Sequence, residues 1–156
     1  MMAKTYTQLI IHVVFAVKNR DALLTKDIRD KVYTYMGGIL QEMKHKPLII
    51  NGTSNHVHIL FGYNPSKAIS DTVHGLKRNT SLFINREKLA GAKFSWQEGY
   101  GAFSCSKSQL DRIYKYIQNQ EEHHKKRTFR NEYLSYLKNL KIDYNEKYLF
   151  DFIQDV

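Results

Sequence analysis

The chain has 156 residues, of which 42% are hydrophobic and 13% aromatic, so it can bury the core of one globular domain. No uninterrupted apolar run approaches the ~18 residues that a membrane-spanning helix needs, so we expect a soluble, unexported protein. The single cysteine, Cys105, excludes an internal disulfide and a multi-cysteine zinc site. A chain with only one cysteine fits a reducing cytoplasm, where disulfides are rare.

The charge balance favours a polyanionic partner. The chain carries 24 Lys and Arg against 15 Asp and Glu, a formal net charge of +9, and nucleic acid is the leading candidate. Its 11 Tyr and 8 Phe also offer stacking surfaces for unpaired bases. Many basic proteins never bind DNA, so charge alone leaves both interpretations open.

The first half of the chain predicts a strand, a helix and a hairpin. Tyr6 to Val17 is a long apolar strand with a polar turn after it. A helix with Thr25 as its N-cap follows and ends at Pro47. Its apolar contacts recur at three- and four-residue steps: Ile28, Val32, Tyr35, Ile39 and Met43. A second strand from Leu48 and a third strand at residues 56–61 are joined by a turn, which predicts the hairpin.

The next elements complete a β-α-β-β-α-β order. Pro65 is expected to open a second helix, with apolar contacts from Ile69, Val73, Leu76, Leu82, Phe83 and Leu89. Phe94 to Ser104 is expected to form the fourth strand. This order predicts an α+β, ferredoxin-like (RRM-like) sandwich with an antiparallel sheet and both helices on one face, which leaves the other face available.

We assign residues 1–156 to one domain, with a core of about 5–105, a further helix of about 106–124 and a C-terminal helix and aromatic tail of about 128–156. The buried stripe of the further helix is predicted at Leu110, Ile113, Tyr114 and Ile117. Tyr116 and Gln120 lie off that stripe and four residues apart, hence on one face.

The third strand carries two histidines, His56 and His58, on the same side, because successive side chains of a strand alternate between faces. Two neutral imidazoles side by side suit a divalent metal. Taken alone, such a pair is more often two residues of a polar sheet face.

Two motifs together resemble the single-tyrosine HUH transposases of small bacterial insertion sequences, the transposases A of the insertion-sequence 200/605 type. They are the strand His56-Val57-His58 and the later helical Tyr116-x-x-x-Gln120. The resemblance implies that Tyr116 is the nucleophile and that His56, His58 and Gln120 hold Mg²⁺ or Mn²⁺. It further implies cleavage of single-stranded DNA through a 5′-phosphotyrosine, recognition of DNA hairpins, and a homodimer.

A second tyrosine, a third histidine and a basic group on the second helix have simpler alternative roles. Tyr114 is the rival tyrosine, but it falls on the apolar stripe, so we predict that it packs. His12 in the first strand is expected to be a satisfied core or sheet-face histidine. The second helix carries a basic group suited to a DNA backbone, although an ordinary exposed helix face is an equal alternative. Its members are Lys67, Lys77, Arg78, Arg86 and Lys88.

Two other functions stay open at this point. An RRM-like module would stack bases on its sheet and bind a single strand without cleaving it. A replication-initiation or relaxase-like nickase would share the tyrosine chemistry, but such proteins are usually longer. The paired motifs favour the transposase.

Overall fold

A computed structural model describes residues 4–153, in which a four-stranded antiparallel sheet carries several helices. The strands are β1 (Ile10–Ala16), β2 (Lys46–Gly52), β3 (His56–Gly62) and β4 (Gly101–Cys105), and their order across the sheet is β2-β3-β1-β4. The helices are α1 (Lys26–Glu42), α2 (Ile69–Arg86), α3 (Leu110–Gln118), α4 (Gln120–His124) and α5 (Phe129–Asn139). The predicted hairpin is the antiparallel pair of β2 and β3.

One face of the sheet packs against α1 and α2. Val57, Ile59 and Phe61 alternate along β3, are fully buried, and belong to one core cluster with apolar residues of both helices. On α1 the buried stripe runs through Ile28 and Val32 as predicted, but Met36 and Leu40 are buried more deeply than Tyr35 and Met43. This face is therefore the main hydrophobic core.

The opposite face of the sheet is also covered, so the expectation that it is available is wrong. Leu60, on this face of β3, packs with Ile117 of α3, and Phe129 of α5 stacks on His56, which lies on the same face. All six residues from His56 to Phe61 are consequently buried. Side chains on both faces of β3 are therefore shielded from water.

Several boundaries differ from the predicted ones. The second helix begins at Ile69, not at Pro65, and Leu82 is 54% exposed instead of packed. The fourth strand is confined to Gly101–Cys105, because the chain turns at Gly99, whose φ is +86°. Before this turn only Trp96 pairs with the sheet, in a single bridge to Val17.

The predicted helix of about 106–124 is divided in two. After a 3-10 turn at Lys107–Gln109, α3 ends at Gln118, Asn119 leaves helical geometry at φ −100° and ψ 28°, and α4 starts at Gln120. Asn51 of β2 holds this break, since its Nδ2 donates to the carbonyl oxygens of Ile117 (2.9 Å) and Gln118 (3.1 Å). The side chain thus satisfies carbonyls that the end of a helix leaves unpaired.

The C-terminal part lies across the covered face. Thr128 caps α5 by accepting a hydrogen bond from the backbone N–H of Asn131. The aromatic tail then returns, and Phe150 and Phe152 pack on Phe129 with ring centroids 5.9 and 5.5 Å away. Residues 1–3 and 154–156 of the predicted domain lie outside the described residues. Among residues 4–153, no helix combines the length and apolar character that crossing a membrane requires.

We expect Gly52→Ala to lower the free energy of unfolding by about 1–3 kcal/mol, because the new methyl group would collide with backbone at the hairpin. A Cβ at Gly52 would meet the carbonyl oxygen of His56 and lie 2.9 Å from Cα of Val57. Urea denaturation followed by circular dichroism measures the change.

The matched control is Gly38→Ala in α1, where a Cβ would meet nothing within 4 Å. This substitution should stabilise the protein by about 0.5–1 kcal/mol, since alanine favours the helix. Equal stability of Gly52→Ala and the unchanged protein would contradict the close approach at the hairpin.

Candidate metal and nucleophile site

His56 and His58 lie on the face of β3 turned towards α3, α4 and α5. Their side chains are 0% and 1% exposed, and their ring centroids are 5.0 Å apart. Phe129 of α5 stacks on His56 with a centroid distance of 3.9 Å and an angle of 6°. The two imidazoles are therefore closed off from solvent, and an aromatic ring covers His56.

Asn55 determines which nitrogen of His56 faces the site. Its Nδ2 donates to the carbonyl oxygen of Ile153 (2.8 Å), which turns its Oδ1 towards His56 Nδ1, also 2.8 Å away. An amide oxygen only accepts, so Nδ1 of His56 is the protonated nitrogen and Nε2 carries the lone pair. Burial, followed by the neighbouring His58, holds the pKa of His56 well below its usual value, so the ring is neutral.

His58 is held between a histidine and a carboxylate. Its Nδ1 shares a hydrogen bond of 2.8 Å with Nε2 of His12, and its Nε2 lies 2.7 Å from Oε1 of Glu132. His12 is buried on the same sheet face, as a satisfied sheet-face histidine, and it stacks on His58 at 5.0 Å. His12 is therefore satisfied on the sheet face, as expected, and it also orients His58.

Glu132 is the residue that the sequence interpretation missed. It lies on α5, is 2% exposed, and points its carboxylate at three histidines: Oε1 is 2.7 Å from His58 and 3.7 Å from His56, and Oε2 is 3.1 Å from His124. Burial acts to raise the pKa of this carboxyl, but His58 and a hydrogen bond from His124 outweigh it and hold the pKa well below its usual value.

A signal for Glu132 does exist in the sequence. Phe129, Tyr133, Tyr136 and Leu137 follow helical spacing and form an apolar stripe, and Glu132 falls within it. A carboxylate on the buried stripe of a helix needs a partner, because an unpaired buried charge is costly. The pattern predicts a partner but cannot say which one.

Gln120 reaches the site because the helix breaks at Asn119. Its side chain is fully buried, and its Oε1 lies 3.1 Å from Nε2 of His56. Its Nε2 is buried with no hydrogen-bond partner among residues 4–153. The structure thus brings the Gln120 side chain to His56.

Tyr116 borders the same cluster from α3. Its ring is half-buried, edge-on to His58 with centroids 6.1 Å apart, and stacked on His123 at 4.6 Å. Burial, followed by the charge of Glu132 and a hydrogen bond to it, raises the pKa of Tyr116 above its usual value, so the phenol is protonated at neutral pH. Tyr114 is 38% exposed, so the expectation that it packs is wrong.

The donor set fits a divalent cation. Nε2 of His56 bears a lone pair and lies 3.1 Å from the side-chain amide of Gln120 and 3.7 Å from Oε1 of Glu132. Neighbouring ligands of an ion with bonds of ~2.1 Å are about 3 Å apart, close to these separations. The ligand atoms of His56, His58 and Glu132 all lie within 4.8 Å of one another.

The basic group of α2 lies elsewhere, because α2 packs on the opposite face of the sheet from the histidines. Lys77 is not available to a ligand, since its Nζ donates to the carbonyl oxygens of Gln97 (2.8 Å) and Gly99 (2.5 Å). Burial lowers the pKa of Lys77 to about 8. The other four members, Lys67, Arg78, Arg86 and Lys88, are exposed, and Lys67 precedes the helix.

Comparison with known proteins places this arrangement in a family. A curated relative, the ISDra2 transposase TnpA of Deinococcus radiodurans, is 27% identical over 121 residues, which are 74% of this chain and 86% of the relative. A crystal structure of a candidate transposase from Deinococcus radiodurans R1 superposes with a TM-score of 0.59 at 21% identity, over 77% of this chain and 97% of the other.

A second solved structure, a REP-associated tyrosine transposase bound to a REP hairpin, also has a TM-score of 0.59, at 12% identity, and covers 80% of this chain and 73% of the other. At these identities the two structures support the fold alone. The family model described as "Transposase IS200 like" matches residues 5–120, which include both histidines, Tyr116 and Gln120. The chain therefore belongs to the IS200-like transposase family.

Proposed function

We propose that this transposase cleaves and rejoins single-stranded DNA through a covalent bond to Tyr116, beside a divalent metal held by His56, His58, Gln120 and Glu132. The observation that carries the proposal is the convergence of a tyrosine and four ligand groups from β3, α3, α4 and α5 within one chain. Tyr116 lies beside His58 and Glu132, next to where the metal would sit. A phosphodiester and a nucleophile need this proximity to react.

The metal would be Mg²⁺ or Mn²⁺. Two imidazoles favour Mn²⁺, whereas the amide and carboxylate oxygens suit either ion. A divalent ion held by these residues would supply charge that offsets the repulsion between phosphodiester and phenolate, and it would polarise the phosphorus. His56, His58, Gln120 and Glu132 would hold the ion and leave room beside it for a phosphate oxygen.

Tyr116 takes part in both cleavage and rejoining of the strand. The Tyr116 oxygen attacks phosphorus and loses its proton, a new oxygen–phosphorus bond forms, and the bond from phosphorus to the 3′ oxygen breaks. The leaving oxygen takes a proton and becomes a free 3′-OH. When a 3′-OH attacks the phosphotyrosine, the strand is rejoined and Tyr116 regains its proton, so no energy source is consumed. The unpartnered Nε2 of Gln120 is a donor for a phosphate oxygen in both steps.

We further infer one domain, with the core, the tyrosine-bearing helices and the C-terminal helix and tail as predicted, and a ferredoxin-like core. The order β2-β3-β1-β4 with α1 and α2 on one face supports that assignment. The homodimer, the hairpin substrate and the cytoplasmic location stay predictions. So does backbone binding by Lys67, Arg78, Arg86 and Lys88, at a distance from the chemistry, because they lie on the other side of the sheet.

An RRM-like binding module is less well supported. Such a module stacks bases on an open sheet face. Here one face is filled by α1 and α2, and the other carries buried histidines beneath α3 and α5. Base stacking on the sheet would require displacement of α5.

We expect Tyr116→Phe to abolish the covalent protein–DNA adduct, because phenylalanine keeps the ring and removes the nucleophilic oxygen. A labelled single-stranded hairpin substrate incubated with Mn²⁺ and run on a denaturing gel measures the adduct, and removal of the metal with a chelator should abolish it as well. Tyr114→Phe, two residues away and exposed, is the matched control and should leave the adduct unchanged. An adduct that survives in Tyr116→Phe would contradict the assignment.

Glu132→Gln should weaken Mn²⁺ binding about tenfold or more, because the variant keeps the shape of the ligand and removes its charge. Isothermal titration calorimetry measures the affinity. The exposed Glu146→Gln is the matched control and should bind as the unchanged protein does. Equal Mn²⁺ affinity in the two variants would show that Glu132 is not a ligand.

A further inference from the structure

A cleft of about 440 Å³ opens between α3, β4 and α5. We call it the α3–α5 cleft. Its lining includes Arg112, Tyr116, Arg127, Glu132 and Tyr136. Its volume lies within the ~300–1,000 Å³ of sites that take small ligands. It is therefore large enough to hold part of a nucleic-acid strand.

The cleft leads to the reactive groups. His56, His58 and Gln120 are at most 1% exposed, so a DNA strand cannot reach them across the surface. Tyr116 and Glu132 line the floor of the cleft, and Tyr116 is half-buried. A phosphate that approaches Tyr116 through this opening leaves its neighbouring nucleotide inside the cleft.

Charge complementarity favours an anionic occupant. Arg112 on α3 and Arg127, in the turn before α5, are both exposed and line the cleft. The one acidic residue in the lining, Glu132, already faces His58 and His124. A phosphate near the two guanidinium groups thus meets positive charge that carboxylates of the cleft do not offset.

An aromatic surface lines the cleft beside the nucleophile. Tyr136 stacks on Phe103 with centroids 5.2 Å apart at 22°, and its edge faces Tyr116 at 6.1 Å. The packing holds the Tyr136 ring in one orientation, and the ring is half-buried along the cleft. A rigid tyrosine of this kind suits an unpaired base, which stacks with little dependence on sequence.

We propose that the α3–α5 cleft binds the nucleotide adjoining the scissile phosphate of single-stranded DNA, with its phosphate near Arg112 and Arg127 and its base against Tyr136. The proposal rests on the proposed function and deepens it. Arg127, Tyr136 and α5 lie beyond residues 5–120, the part that matches the family. The cleft is thus a substrate site that this chain builds with its own C-terminal helix.

The test uses the full chain carrying Tyr116→Phe, so that the strand binds without being cut. Fluorescence anisotropy with a labelled single-stranded oligonucleotide of mixed sequence gives affinity across a series of salt concentrations. Arg112→Ala and Arg127→Ala should each weaken binding about five- to tenfold and reduce the salt slope by about 0.7, the loss of one phosphate contact. The control, Lys115→Ala, removes a positive charge from an exposed site on α3 outside the cleft and should change affinity less than about twofold.

A second measurement places the base. The same protein is irradiated with an oligonucleotide that carries 5-iodouracil next to the scissile phosphate, and the crosslinked peptide is identified by mass spectrometry. A crosslink at Tyr136 supports the proposal, whereas crosslinks confined to α2 overturn it. Equal affinities for the two arginine variants and Lys115→Ala also overturn it.

The cleft and the cleavage reaction can fail independently of each other. If the chain with Tyr116 intact forms no adduct with any single strand, but Arg112→Ala and Arg127→Ala weaken binding as expected, the cleft stands and the cleavage reaction does not. If the adduct forms and the arginine variants behave like Lys115→Ala, the cleft fails and the reaction stands.

Discussion

The contact of 2.7 Å between the Glu132 carboxylate and His58 is the interaction on which the rest of the site depends. It joins α5 to β3, and it places a negative charge in a position that is 2% exposed. Removal of a carboxylate from water costs roughly several kcal/mol, unless hydrogen-bonding or charged partners offset the lost hydration. His58 and His124 supply that compensation. The docking of the C-terminal helix on the sheet and the formation of the site therefore depend on the same contacts.

Hydrogen bonds from neighbouring side chains fix the orientation of the two site histidines. Asn55 orients His56 and His12 orients His58, so the imidazoles cannot rotate away from Glu132 and Gln120. Burial keeps the pKa values of His12 and His56 low, which leaves their rings neutral. Neutral, oriented imidazoles are what a metal needs from histidine. Contacts within the chain thus fix the orientation of both imidazoles.

The two faces of the sheet have different tasks. The face beneath α1 and α2 is a continuous apolar core, and its helices carry basic residues far from the histidines. The other face combines apolar packing with the polar cluster, and α5 both completes that cluster and forms a wall of the α3–α5 cleft. Both features use a helix that begins after the residues that match the family.

The sequence by itself determined the elements whose pattern is local. Alternation placed His56 and His58 on one side of a strand, and the four-residue spacing related Tyr116 to Gln120, because both periodicities come from backbone geometry. Only the tertiary structure decided that Asn119 breaks the helix, that His12 meets His58, and that Glu132 completes the cluster. Those contacts join residues up to 74 positions apart, and no local periodicity encodes them. They depend on how α3 docks on β2, how β1 pairs with β3 and how α5 docks on the sheet. Packing of distant segments determines them, since a buried charge is stable only where its partners are.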